Sequence, residues 1–145
     1  MRHGSWVVIA DGEKALFCRN KGDDEMILLE TISAEAQHNP PTREQGTDKP
    51  GRKQDTGVQQ TSAVEPTDWH WLEKQHFARG ISQVLYKEAH RGRFDDLVLV
   101  APPRILGELR DNLHKEVQDR LSKTIAKDLT NHPIDQIESL LAREV

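Results

Sequence analysis

The sequence predicts an α/β domain: a mixed five-strand sheet in the order 3-2-1-4-5, built by a β-β-β-α-β-α-β-α chain with helices on both faces. Three observations carry this. Two short runs, Trp6-Val7-Val8-Ile9-Ala10 and Leu97-Val98-Leu99-Val100-Ala101, are apolar at every position, as strands covered on both faces must be. Asp11-Gly12, directly after the first run, is a two-residue hairpin signal, so the first pairing is antiparallel. Beyond residue 66, apolar residues at helical spacing flank the second run, the alternation expected of crossover helices on a sheet.

A second strand returns over about Lys14 to Arg19, and Asn20-Lys21-Gly22-Asp23-Asp24 is a turn by composition. Met26 to Ile32 forms the third strand. From Ala34 to Pro66 the chain holds Asn39-Pro40-Pro41, Gly46, Lys49-Pro50-Gly51-Arg52 and Gln59-Gln60-Thr61-Ser62, with Val58 and Val64 its main apolar residues. Residues 34–66 are therefore expected to be a long, polar, mobile loop inside a single domain spanning 1–145. Thr67 or Asp68 can cap the next helix, whose stripe is Phe77, Ile81, Val84 and Leu85. Gly80 weakens that helix by about 1 kcal/mol against Ala, and close approach to the sheet would explain it. The helix fades at Arg91-Gly92-Arg93, Asp95-Asp96 precedes the fourth strand, and Pro102-Pro103 stops that strand and opens the next helix. Leu106, Leu109, Leu113 and Val117 give this helix one stripe. A weaker strand between Leu121 and Leu129 belongs at an edge, where Lys123 and Lys127 blunt pairing with another chain. After Asn131-His132-Pro133 a last helix carries Asp135 in its first turn and Ile134, Ile137 and Leu141 on one face. With the two wholly apolar strands as central neighbours and right-handed crossovers, the result is the RNase H-like arrangement.

Composition narrows the function. The chain has 145 residues, a net charge of -4 and a pI near 6.0, so any nucleic-acid contact needs a local basic patch. Its one cysteine, Cys18, sits in the apolar stretch Ala15-Leu16-Phe17-Cys18, which points to core filling and a reducing compartment. The run Trp6 to Ala10 is too short for a signal peptide, and nothing approaches the length of a membrane span, so the expected location is the cytoplasm without membrane contact.

The catalytic constellations are weak. A two-metal nuclease needs converging carboxylates, yet Asp11 ends the first strand while Asp95-Asp96 start the fourth. None of the seven histidines stands at metal-ligand spacing; His70 and His76 lie about 240° apart around a helix. No glycine pattern cradles a phosphate, so no cofactor and no metal are expected. What remains is a basic cluster, Arg43, Lys49, Arg52 and Lys53, in the polar loop, with Arg91 and Arg93 at the far end of the long helix. Such residues suit phosphate contact, although residues 34–65 as a whole sum to -1. Trp69 and Trp71 flank the start of the long helix about 200° apart, so they face different ways and one of them suits contact with another protein.

Four stretches resemble the bacterial host attachment family: Asp48-Lys49-Pro50-Gly51-Arg52, Phe77-Ala78-Arg79, Ala101 to Arg110, and Lys127-Asp128-Leu129-Thr130 followed by Pro133. That family is similar in turn to the middle domain of archaeal and eukaryotic release factors and of Pelota. There, the loop between the third strand and the long helix reaches the peptidyl-transferase centre and, in true release factors, carries Gly-Gly-Gln. This chain has Gly57-Val58-Gln59-Gln60 instead. Val58 removes the backbone freedom that brings the following residue against the ester. The resemblance thus implies a non-catalytic binding module of translation that engages ribosome or tRNA through Arg43, Lys49, Arg52, Lys53, Gln59 and Gln60. Its alternative is a protein-interaction module affecting adherence to host cells, with Trp69 and Trp71 as the contact surface.

Overall fold

A computed structural model describes residues 1–37 and 66–144. The expected loop, with Arg43, Lys49, Arg52, Lys53, Gln59 and Gln60, lies outside the described residues but for its ends, as do the capping side chains of Thr67 and Asp68. The strands are β1 (Trp6–Ala10), β2 (Lys14–Asn20), β3 (Leu29–Ala36), β4 (Leu97–Val100) and β5 (Leu121–Ile125). The helices are α1 (Pro66–His90), α2 (Pro103–Asn112), α3 (Lys115–Gln118) and α4 (Ile134–Glu144).

The sheet order is β3-β2-β1-β4-β5, as the sequence predicts. β1 pairs antiparallel with β2 and parallel with β4, with Trp6 opposite Leu97 and Ile9 opposite Val100. Every residue of β1 and β4 is buried, because alternate side chains enter two different cores. Trp6, Val8 and Ala10 face α1, α2 and α3 through Ile81, Leu85, Leu109 and Val117. Val7 and Ile9 face α4 through Ile137 and Leu141.

Four local expectations are corrected. β3 starts and ends later than Met26 to Ile32: Asn20, fully buried, accepts from the N–H groups of Gly22 and Leu28, and Asp23 accepts from those of Glu25 and Met26, so side chains hold the turn as far as Leu28. The hairpin turns on Gly12 and Glu13, with Asp11 paired to Lys14 through an N–H···O bond of 3.1 Å. The helix after Pro102 is two helices, since Leu113 is extended and the His114 side chain accepts the Glu116 N–H at 3.0 Å to start α3. Gly80 is exposed, and among the described residues nothing lies within 4 Å of where a Cβ would stand, so it makes no close approach to the sheet.

Candidate functional site

The end of the sheet where β1 stops is a knot of polar contacts built on Asp11. Its Oδ1 accepts from the backbone N–H groups of Glu13 and Lys14, both at 2.9 Å, and its Oδ2 accepts from the Thr130 hydroxyl at 2.9 Å. Burial pushes this carboxyl up, but the two backbone bonds, the Thr130 hydroxyl and the Lys14 charge outweigh it and hold Asp11 below the usual carboxylate range. Gly12 has φ +96, and a Cβ there would lie 3.0 Å from Ile105 Cδ1 and 3.2 Å from Lys74 Cγ. Gln37 closes the end of β3 onto this hairpin by donating from Nε2 to the Gly12 carbonyl at 2.9 Å. Lys14 Nζ donates to Asn131 Oδ1, tying the loop before α4 to the same place. The Lys127 to Thr130 stretch is thus a strut: Leu129 is buried, Thr130 holds Asp11, and Lys127 pairs with Glu144.

Beside this knot, the first turns of α1 meet α2. The Arg104 guanidinium lies 3.7 Å from the centre of the Trp71 ring, and Gln75 Nε2 donates to Glu108 Oε2 at 3.2 Å. Trp71 is partly buried against the core, whereas Trp69 is 56% exposed and Leu72, one turn on, 46%. The two tryptophans therefore divide as their angular separation requires, one stacked and one facing solvent. The Ala101 to Arg110 stretch closes the core with Ala101, Ile105, Leu106 and Leu109 and presents Arg104 to Trp71.

Between the end of β3 and α1 lies an open groove of about 440 Å³. Phe77, Ile81 and Val84 supply apolar wall, Glu35, Glu73 and His76 the polar part, and Gly80 leaves one side of α1 open. The volume is that of a small-molecule or side-chain pocket. Sequence reasoning missed this groove and Arg104, because both arise where segments distant in the chain meet. The one available cue was Gly80, bare on a helix face without a packing reason.

The other candidates fall elsewhere. Asp96 accepts the Ser5 hydroxyl at 2.8 Å at the start of β1, about six strand residues or roughly 20 Å from Asp11. Among the described residues no three His, Cys, Asp or Glu side chains form a group able to hold a metal ion. Burial pushes the Cys18 thiol up; a Thr31 hydrogen bond opposes this and the Glu138 charge adds to it, which suits an inert core residue. Arg91 and Arg93 flank Glu88 at 3.7 and 3.8 Å. No helix among the described residues is long and apolar enough to cross a membrane.

Fold and site together define a mixed α/β domain with crossover helices, a groove beside an edge strand and no convergent carboxylate cluster among the described residues. The chain belongs to bacterial archaeo-eukaryotic release factor family 12, which it matches over residues 4–141. It is also similar to an uncharacterized protein of Rickettsia prowazekii (strain Madrid E), with 32% identity over 80 residues. That match covers 53% of this chain and 53% of the relative, so the chain spans about half the length of the curated protein it matches. The family is the release factor-like one; the host attachment role that the sequence resemblance also implied is no part of these matches.

Proposed function

We propose that this chain is a non-catalytic, translation-associated binding module that engages ribosome or tRNA through residues 43–60. The observation that carries the reading is membership of the release factor-like family across nearly the whole chain. In support, the segment bearing Arg43, Lys49, Arg52 and Lys53 joins β3 to α1, the same connection that carries the functional loop in the resembled middle domains. Binding by this segment is electrostatic and falls with salt. Gln59 and Gln60 supply hydrogen-bonding groups, but Val58 denies them the backbone path of a hydrolytic loop. Co-sedimentation of the purified protein with ribosomes at low and moderate salt tests this; a protein that stays in the supernatant at both refutes it.

A second reading, a protein-interaction module that influences adherence to host cells, is favoured by exposed Trp69 and Leu72 on adjacent turns of α1. Pull-down of a cell-envelope protein lost in Trp69→Ala, without ribosome binding, would select it.

A further inference from the structure

β3 is an edge of the sheet, and the β2–β3 ladder fixes which of its backbone groups point outward. The Gln37 N–H donates to the Glu13 carbonyl at one end, and the Lys21 N–H to the Leu28 carbonyl at the other. Antiparallel pairs alternate between bonded and non-bonded, so the register can be counted inward from both ends. The counts meet at a bulge where Ile32 and Ser33 both oppose Phe17. Leu28, Glu30, Ile32, Ser33, Glu35 and Gln37 then turn their backbone toward β2, while Leu29, Thr31, Ala34 and Ala36 turn theirs outward. An independent contact agrees: the Leu29 N–H is taken by Glu138 Oε2 at 2.7 Å. No other described residue bonds the outward groups of Thr31, Ala34 and Ala36. The same count puts the side chains of Glu30, Ile32 and Glu35 on the α1 face, where Glu35 lines the 440 Å³ groove and Ile32 and Glu30 follow it along the strand. Ile32 is 41% exposed there.

The two sheet edges differ. β5 carries Lys123, with Lys127 just beyond it, whereas β3, Leu29–Ala36, contains no Lys, Arg or Pro to deter pairing. A second copy of β3 fits poorly. The antiparallel register that matches outward groups along the strand sets Leu29 against Ala36 and Thr31 against Ala34, and therefore Glu30 directly against Glu35. Carboxylates that repel a like strand attract a basic one. Because of the bulge, Glu30 and Glu35 oppose Arg19 and Ala15 of β2, so they span four residues of a regular strand.

We propose that the β3 edge and its groove bind an extended peptide of the pattern basic-x-apolar-x-basic, added as a sixth strand. The peptide exchanges backbone bonds with Thr31, Ala34 and Ala36. Its apolar side chain lies by Ile32 and toward Phe77 and Ile81, and its basic side chains meet Glu35 with Glu73 and share Glu30 with Arg19, which already holds Glu30 at 2.7 Å. The residues it uses are not those of the basic segment, and Trp69, one turn before Glu73 on the same stripe of α1, does not line the groove, so the peptide titration is read separately from ribosome binding.

The test is a titration of the full chain with the peptide Thr-Lys-Thr-Val-Thr-Lys-Thr, blocked at both ends, followed through backbone amide resonances. The expected result is shifted, exchange-protected amides at Thr31, Ala34 and Ala36, with no binding of the same peptide carrying Glu for Lys. Ala34→Pro removes an outward N–H and leaves the β2 ladder intact, so it should weaken binding at least tenfold at unchanged melting temperature. Glu35→Lys should shift the preference toward the Glu peptide. Equal binding of both peptides to the wild type, or of neither, overturns the proposal. So do Thr31, Ala34 and Ala36 amides that already exchange slowly in the free protein, because the chain itself would then occupy the edge.

Discussion

Replacing Asp11 by Ala removes the acceptor that holds the β1–β2 turn to the loop before α4. Three donors lose this acceptor: the Glu13 and Lys14 N–H groups and the Thr130 hydroxyl, each at 2.9 Å. Bonds to a charged acceptor contribute about 1.5–3 kcal/mol each where buried. Asp11 is only partly buried, and Thr130 keeps Asp128 as an alternative acceptor at 2.8 Å, so the whole substitution should cost about 2 kcal/mol. For a domain of this size that corresponds to a fall of roughly 8 °C in melting temperature. The effect has a pH signature of definite sign. The folded-state pKa of Asp11 is depressed, so its contribution is fully present above the unfolded value of about 3.9 and is lost as pH falls through the lower folded value. Urea unfolding of wild type and Asp11→Ala at pH 7 and at steps below pH 4 should show a gap that narrows with acid. A gap under about 0.5 kcal/mol at pH 7, or one that does not change with acid, would mean that the Asp11 carboxylate does not hold this turn in solution.

Further perturbations have defined outcomes. Asn20→Ala should cost about 3 kcal/mol by urea unfolding, because the buried amide also donates to the Met1 and Arg2 carbonyls and its loss strands the Gly22 and Leu28 N–H groups; a loss below about 1 kcal/mol contradicts this. Arg104→Ala should cost only about 0.5–1 kcal/mol and change the tryptophan fluorescence, since it uncovers one face of Trp71; an unaltered spectrum would mean the stack does not persist in solution. Purified protein with magnesium or manganese should turn over neither peptidyl-tRNA nor an RNA–DNA hybrid, because Val58 stands where a release loop has glycine, and Asp11 and Asp96 lie at opposite ends of the sheet, far beyond the distance over which carboxylates share a metal. Turnover abolished by Asp11→Asn or Gln60→Ala would reveal a site.

Much of the fold was legible because burial writes itself into composition. Strands covered on both sides, like Trp6–Ala10 and Leu97–Val100, leave no polar position, and helices packed on one side, like Ile134–Glu144, leave a stripe. Side-chain bonds to the backbone were harder to read. Leu113 ends one helix and His114 starts another inside what looks like a continuous stripe from Leu106 to Val117, since both helices bury residues in the same core. Asn20 and Asp23 likewise delay β3 past Met26. Of the site, the Trp69 and Trp71 division followed from helix geometry. The Arg104 stack, the Thr130 strut and the groove did not, because each joins residues more than thirty positions apart.

In the proposed function, residues 43–60 bind the translation machinery through charge. Ribosome co-sedimentation of wild type beside a variant with Arg43, Lys49, Arg52 and Lys53 all changed to Gln tests it most directly. With four phosphate contacts to single-stranded RNA, the logarithm of the association constant should fall about threefold as steeply as that of the salt concentration rises, a slope near -3. The wild type should show that slope, and the variant should lose ribosome association at unchanged melting temperature. Wild type and variant that pellet equally, or a wild type that never leaves the supernatant at low salt, would contradict it.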